Sequence, residues 1–253
     1  MDRFTDRRIV VTGAGSGMGR AVALRLLREG GHVAALDLSA GGLADTAKVA
    51  ADEGFANRLA TATVDIADEA EVARVVAGAL DTLGGLDVLV NAAGILRAAH
   101  TEECPLELWQ QVIGTNLTGT FLVTRAALPA LVASGRGVVV NFASTAAFAA
   151  HPYMAAYAAS KGGIVAFTHT IALEYAKRGV RAVAVAPGGV DTPLVGGLAM
   201  PDDADPGFYR RLMPVGRGFA SPDEIAGMVA AVASDDGAYV NGTTIHIDGG
   251  THA

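Results

Sequence analysis

Tyr157 and Lys161 stand four residues apart in a stretch, 153–186, that contains no proline. On a helix that spacing puts both side chains on one face, one turn apart. The flanking Ala155, Ala156, Ala158, Ala159, Ile164, Val165 and Phe167 suit a helix with an apolar face. A phenol beside an ammonium makes a proton donor that works near neutral pH. The cation favours the phenolate and draws the tyrosine pKa down from about 10. Any helix can carry this pair by chance, so its weight depends on the rest of the chain.

A second constellation lies near the start. Arg8-Ile9-Val10-Val11-Thr12 reads as a short buried strand and runs into Gly13-Ala14-Gly15-Ser16-Gly17-Met18-Gly19. An amphipathic helix over 18–29 follows, ended by Gly30-Gly31, and then a second strand over 32–37 that finishes on Asp37. A glycine-rich turn before a helix lets backbone N–H groups approach a pyrophosphate at the positive helix end. An acid about 20 residues on accepts hydrogen bonds from the adenosine ribose hydroxyls and repels a 2′-phosphate. Asp37 therefore argues for NAD over NADP.

The elements that must position these groups alternate along the whole chain. Strands are predicted at 8–12, 32–37, 59–64, 86–90, 137–142, 180–186 and 243–247. Helices are predicted at 18–29, 40–54, 67–83, 105–134, 153–178 and from 221 to about 234, with irregular chain over 190–221. Pro129 marks a kink or a late break in the long helix. Ser221-Pro222-Asp223-Glu224 reads as an N-cap, a first-turn proline and a capping box. This alternation predicts one domain, residues 1–253: an α/β, doubly wound, parallel seven-stranded sheet with helices on both faces. Ligands are expected at the carboxyl ends of the strands. Gly13, Asp37, Asp65, Asn91, Ser144 and Pro187 all fall at those ends.

Composition narrows the classes. The chain has 253 residues, enough for a sizeable core, and a formal net charge of −7 with no basic cluster. Nucleic acid and anionic membrane are poor partners for such a chain. A single cysteine, Cys104, allows neither an intrachain disulfide nor a cysteine-based metal site, and no metal is expected. With no signal peptide and no run of 18 apolar residues, the expected location is cytoplasmic.

The motifs in their order resemble the short-chain dehydrogenase/reductase family. They are Thr12-Gly13-xxx-Gly17-x-Gly19, Asp65, Asn91-Ala92-Ala93-Gly94, Asn116, Ser144, Tyr157-xxx-Lys161 and Pro187-Gly188-Gly189-Val190-Asp191-Thr192-Pro193, and together they cover the chain from Arg8 to Gly250. The resemblance implies a Rossmann-type fold and nicotinamide-dependent hydride transfer. It implies Tyr157 as general acid/base and Ser144 as holder of the substrate oxygen. Lys161 would lower the Tyr157 pKa and bind the nicotinamide ribose. Asn116 would position a water linking Lys161 to solvent. For the cofactor it implies Gly13, Ser16, Met18 and Gly19 at the pyrophosphate, and Asp37 and Leu38 at the adenosine ribose. Asp65 and Ile66 would lie at adenine, Asn91 and Gly94 along the cleft, and Pro187, Val190 and Thr192 near the nicotinamide. Two departures are small: Met18 replaces the usual isoleucine, and Phe142-Ala143-Ser144 replaces Ile-Ser-Ser. Ser16 is not basic and no arginine follows Asp37, which again points to NAD.

The loop 145–154 and the segment 190–215 are expected to contact substrate, the latter as a lid. Their residues Phe148, Leu194, Val195, Leu198, Met200, Phe208, Tyr209, Leu212 and Met213 suggest an apolar or cyclic secondary alcohol or ketone. His151 would either touch a polar substrate group or sit at the loop surface. Arg210, Arg211 and Arg217 would either meet a phosphopantetheine or CoA chain or be solvated. Two further readings stay open: a 3-oxoacyl thioester reductase, which Asp37 opposes, and a sensor of NADH without turnover, which the intact Asn116, Ser144, Tyr157 and Lys161 oppose. The resemblance also implies a homotetramer built on the long helices, with the last strand at a second interface.

Overall fold

The computed structural model describes residues 2–214 and 216–251, apart from the side chains of 209–211. Seven strands form one parallel sheet: β1 Arg8–Thr12, β2 His32–Asp37, β3 Leu59–Thr63, β4 Val88–Asn91, β5 Gly137–Phe142, β6 Val180–Pro187 and β7 Thr243–Ile247. Their order is β3-β2-β1-β4-β5-β6-β7. The winding reverses between β1 and β4, which opens a crevice at their carboxyl ends.

The central strands read as apolar runs because both faces are covered there. Successive side chains alternate sides. Ile9 and Val11 pack with Val33, Ala35, Val88, Val90, Val138 and Val140 on one face. Val10 packs with Ala34, Leu36, Leu89, Val139 and Ala182 on the other. Each fully buried Val, Ile or Leu contributes about 1.5–3 kcal/mol.

Helices α1 Gly17–Arg28 and α8 Pro222–Ala233 pack together over the first face. Helices α3 Glu69–Leu83 and α5 Thr120–Ser134 pack on the second. Helix α2 Ala40–Asp52 flanks β2 and β3, and α6 Ala155–Tyr175 lies along β6. The predicted capping box forms: Ser221 Oγ accepts from the Glu224 N–H, and Glu224 accepts from the Ser221 N–H at 2.7 Å. A one-turn helix, α7 Pro193–Gly196, appears inside the stretch expected to be irregular.

Two features of the long helix differ from the sequence reading. Pro129 does not end α5, which continues to Ser134. The proline is on the solvent face, where water can satisfy the carbonyl it leaves unbonded. The interruption lies earlier. Between α4 Leu106–Ile113 and α5 the chain winds through a π-helical turn, Gly114–Gly119. Such turns concentrate at functional sites.

Candidate active site

The register brings the strand ends level. Thr12 lies opposite Leu36 and Asn91, Asn91 opposite Asn141, and Phe142 opposite Val185. The residues that follow these ends form one rim.

Ser144 follows β5 by two residues in extended backbone (φ −170°). Its Oγ accepts from the Ala146 N–H at 3.1 Å, leaving its proton available. Tyr157 is in the first turn of α6. Lys161, one turn on, is buried, and its Nζ donates to the Phe142 carbonyl at 2.7 Å. This bond ties α6 to the end of β5 and places the ammonium 5.5 Å from the Tyr157 ring centre. The expected net lowering of the Tyr157 pKa is corrected here. Burial raises the phenol, and the opposing pull comes from the Ser144 hydroxyl. The same burial lowers Lys161 to about 8.

Asn116 sits in the π-turn, fully buried. Its Oδ1 accepts from the Ile95 N–H at 2.7 Å, and its Nδ2 donates to the Ile95 carbonyl at 2.9 Å and to Ser160 Oγ at 3.1 Å. Thr120 Oγ donates to the Asn116 carbonyl at 2.7 Å. The side chain that interrupts the helix is thus clamped to the segment after β4. A Cβ on Gly94 would lie 3.1 Å from Asn116 Oδ1 and 3.7 Å from Lys161 Nζ, so Gly94, Asn116 and Lys161 are mutual neighbours.

Beside this group runs a cleft of about 530 Å³. It is lined by Gly13, Ser16, Met18, Gly19, Asp37, Leu38, Asp65, Ile66, Gly94 and Thr192 from the sequence reading. Gly13 adopts φ +70° where a Cβ would stand 2.7 Å from the Ala93 nitrogen, so the turn and the post-β4 segment approach as only glycine allows. Ser16 caps α1 without a side-chain bond and no acid occupies the first turn, so amide donors remain for an anion. Both Asp37 oxygens are held, Oδ2 by the Gly15 N–H and Oδ1 by the Ser39 N–H, each at 2.8 Å. Asp65 Oδ1 accepts from the Ala67 N–H at 2.9 Å. A cradle of glycine backbone, open helix-end donors and a fixed acid on β2 fit a nicotinamide dinucleotide.

Other predicted residues are placed differently. The Asn91 side chain turns into the core, where Nδ2 donates to Thr124 Oγ at 2.9 Å and to Asn141 Oδ1 at 2.8 Å. Pro187 and Val190 are buried behind the wall, Val190 paired with Ala220. His151 Nδ1 contacts the Ala149 carbonyl at 3.0 Å. Arg217 is paired with Glu224 at 2.8 Å, while the Arg210, Arg211 and Tyr209 side chains lie outside the described residues.

The sequence reading gave no site role to Val64, Ala67, Ile95, Arg97, Gln110, Gln111, Gly114 and Thr115, which also line the cleft, and it expected Leu194 at the substrate. Proximity to Gly94, Asn116 and Thr192 was the available signal. The π-turn that aims 110–115 at the cleft has none in composition.

Comparisons with known proteins agree with this fold. Residues 13–252 match the family model described as enoyl-(acyl carrier protein) reductase. The chain is 36% identical over 255 residues to 2-(S)-hydroxypropyl-CoM dehydrogenase 3 of Xanthobacter autotrophicus, covering 100% of this chain and 99% of that protein. It is 37% identical over 248 residues to the 3-oxoacyl-(acyl-carrier-protein) reductase FabG of Thermotoga maritima, covering 98% of each. The solved structure of levodione reductase superposes with a TM-score of 0.89 at 33% identity, over 98% of both chains. Relatives that share both the sheet and the full span of the sequence make this chain a member of the short-chain dehydrogenase/reductase family.

Proposed function

We propose that the protein is an NAD-dependent oxidoreductase that interconverts a secondary alcohol and a ketone, with Tyr157 as general acid/base. The observation that carries this reading is the convergence of Ser144, Tyr157 and Lys161 beside Gly94, which lines the cleft. When bound, the nicotinamide supplies or accepts the hydride. The chain's own groups handle the oxygen. The Ser144 hydroxyl holds it without competing for the proton. Tyr157 Oη gives that proton in reduction and takes it in oxidation. Lys161, as an ammonium, stabilises the tyrosinate that forms in the low-dielectric site. Asn116 holds the post-β4 segment in place beside Lys161.

Asp37 supports NAD. Its fixed carboxylate would face a 2′-phosphate with like charge, and the only Lys or Arg lining the cleft among the described residues is Arg97. The side chains of Leu194, Val195, Leu198, Met200 and Phe208 support an apolar or cyclic substrate met by a lid over about 190–215. A 3-oxoacyl thioester reductase is the second reading, favoured by the likeness to the Thermotoga enzyme. Exposed apolar residues on α4, α5 and α6 support assembly as a homotetramer: Leu106, Trp109, Phe121 and Leu173, the last 83% exposed. Nicotinamide absorbance with NAD and NADP, across cyclic alcohols, polyols and 3-hydroxyacyl thioesters, tests the proposal. NADP-dependent turnover of a 3-oxoacyl thioester alone would replace it with the second reading.

A further inference from the structure

The chain leaves the cleft lining after Leu194 and is next fixed to the body at Ala220, which pairs with Val190. Between these points it is fastened to the segment that follows Arg97, which lines the same cleft as Leu194. Asp203 Oδ1 meets His100 Nε2 at 2.7 Å. The Asp205 N–H donates to the Tyr153 hydroxyl at 3.1 Å. The His100 and Tyr153 rings meet edge to face, with centres 5.0 Å apart, and Tyr153 also faces Phe208 at 6.4 Å. The Ala99 N–H donates to the Tyr153 carbonyl at 2.8 Å. Tyr153 is held at φ +66°, a backbone region unfavourable for a residue with a side chain. His100 lies six residues after Gly94, and Tyr153 four residues before Tyr157. The strap is therefore fastened to the two loops whose roots carry the reacting rim.

We propose that His100, Tyr153 and Asp203 form a clasp that holds the strap 200–208 closed across the mouth of the cleft. They act as positioning residues that slow ligand passage. The charged groups around His100 are acidic: Asp203 on the strap, and Glu103 and Glu102 on its own turn. The carboxylate of Asp205 is engaged with the Gly207 N–H at 2.7 Å. Asp203, foremost, holds His100 above its ordinary value of 6.5. The sign follows: the ion pair is complete below that ordinary value and is lost as pH rises through the raised one.

Hydrogen exchange of the strap amides, followed by mass spectrometry on the whole protein, tests the clasp without any ligand. Corrected for intrinsic rates, exchange in the wild type should be about threefold slower at pH ~6 than at pH ~9, the size expected for an exposed ion pair. Asp203→Asn and His100→Gln should exchange at the faster rate at both pH values. Tyr153→Phe should speed exchange at both while keeping the pH dependence, and Asp202→Asn should change nothing. NADH release, followed by its fluorescence, should be about threefold faster in Asp203→Asn than in wild type at pH ~6, and equal at pH ~9. Equal strap exchange in wild type and Asp203→Asn at both pH values would overturn the clasp. Unchanged NADH release with faster strap exchange would overturn its role as a gate.

Discussion

Tyr157 and Lys161 respond to one cause in opposite directions. Burial disfavours charge on either, raising the phenol and lowering the amine to about 8. The sequence showed the pair and its spacing, but not the burial that raises the phenol, because burial depends on what packs above the helix. Ketone reduction should fall as pH rises through about 8, where Lys161 loses the charge that stabilises a tyrosinate. Alcohol oxidation should rise across the neutral range, since the raised Tyr157 pKa makes its base form scarce at neutral pH. Initial rates against pH in both directions check this, and a reduction rate flat through pH 8 would refute the role given to Lys161. Asp37→Ser should lower kcat/KM with NAD by about tenfold, as ribose hydrogen bonds worth roughly 1.5 kcal/mol are lost, and raise it with NADP. Parallel loss with both cofactors would count against the proposed use of Asp37.

The central strands were readable because both faces of the sheet are buried there and their runs are apolar; β1, β2, β5 and β7 fall at the predicted residues. The π-turn was not. Asn116 was visible as a motif residue, yet the register shift it anchors depends on Ile95, far away in sequence. Asn91 shows the converse: its motif was legible, but its side chain serves the β4–β5 core. The other end of the sheet carries a structural prediction. Asp87 is buried at the start of β4. Burial alone would raise its pKa, but hydrogen bonds from Arg8 and Arg136 hold it at about 2. Its folded pKa is below the unfolded one, so its contribution is present above the ordinary 3.8 and is lost as pH falls toward about 2. Asp87→Ala should cost about 2 kcal/mol at neutral pH by leaving two arginines unpaired, with less effect at the acid end. Urea denaturation at several pH values would show it; a cost independent of pH would contradict the ion-pair account.

At the scale of the whole molecule, the stretch Leu106–Ser134 is apolar and long enough to cross a membrane by length and composition alone. In the structure its second half, α5, covers the sheet with Leu122, Val123, Ala127, Leu128 and Leu131 buried. Its exposed Leu106, Trp109 and Phe121, with Leu173 of α6, leave an apolar surface that the proposed tetramer would cover. Phe121 already meets Phe167 edge to face at 6.1 Å, linking α5 to α6. Light scattering should report four chains per particle, and Leu173→Glu should lower that mass; a stable monomer in the wild type would refute the assembly. Substrate identity was the least legible property at this scale. The proposed lid over the substrate makes contacts that join residues 100, 153 and 203, brought together only by the fold.

The central claim is that Tyr157 moves the proton while the cleft binds NAD. The most direct test is nicotinamide absorbance for wild type and Tyr157→Phe across the alcohol panel, with NADH binding followed in parallel. The account predicts NAD-linked turnover of one alcohol class, reduced in Tyr157→Phe by at least about a hundredfold, the usual minimum for a general acid/base, with NADH binding retained. Turnover unchanged in Tyr157→Phe, or NADH bound tightly with no alcohol of the panel oxidised by the wild type, would contradict it.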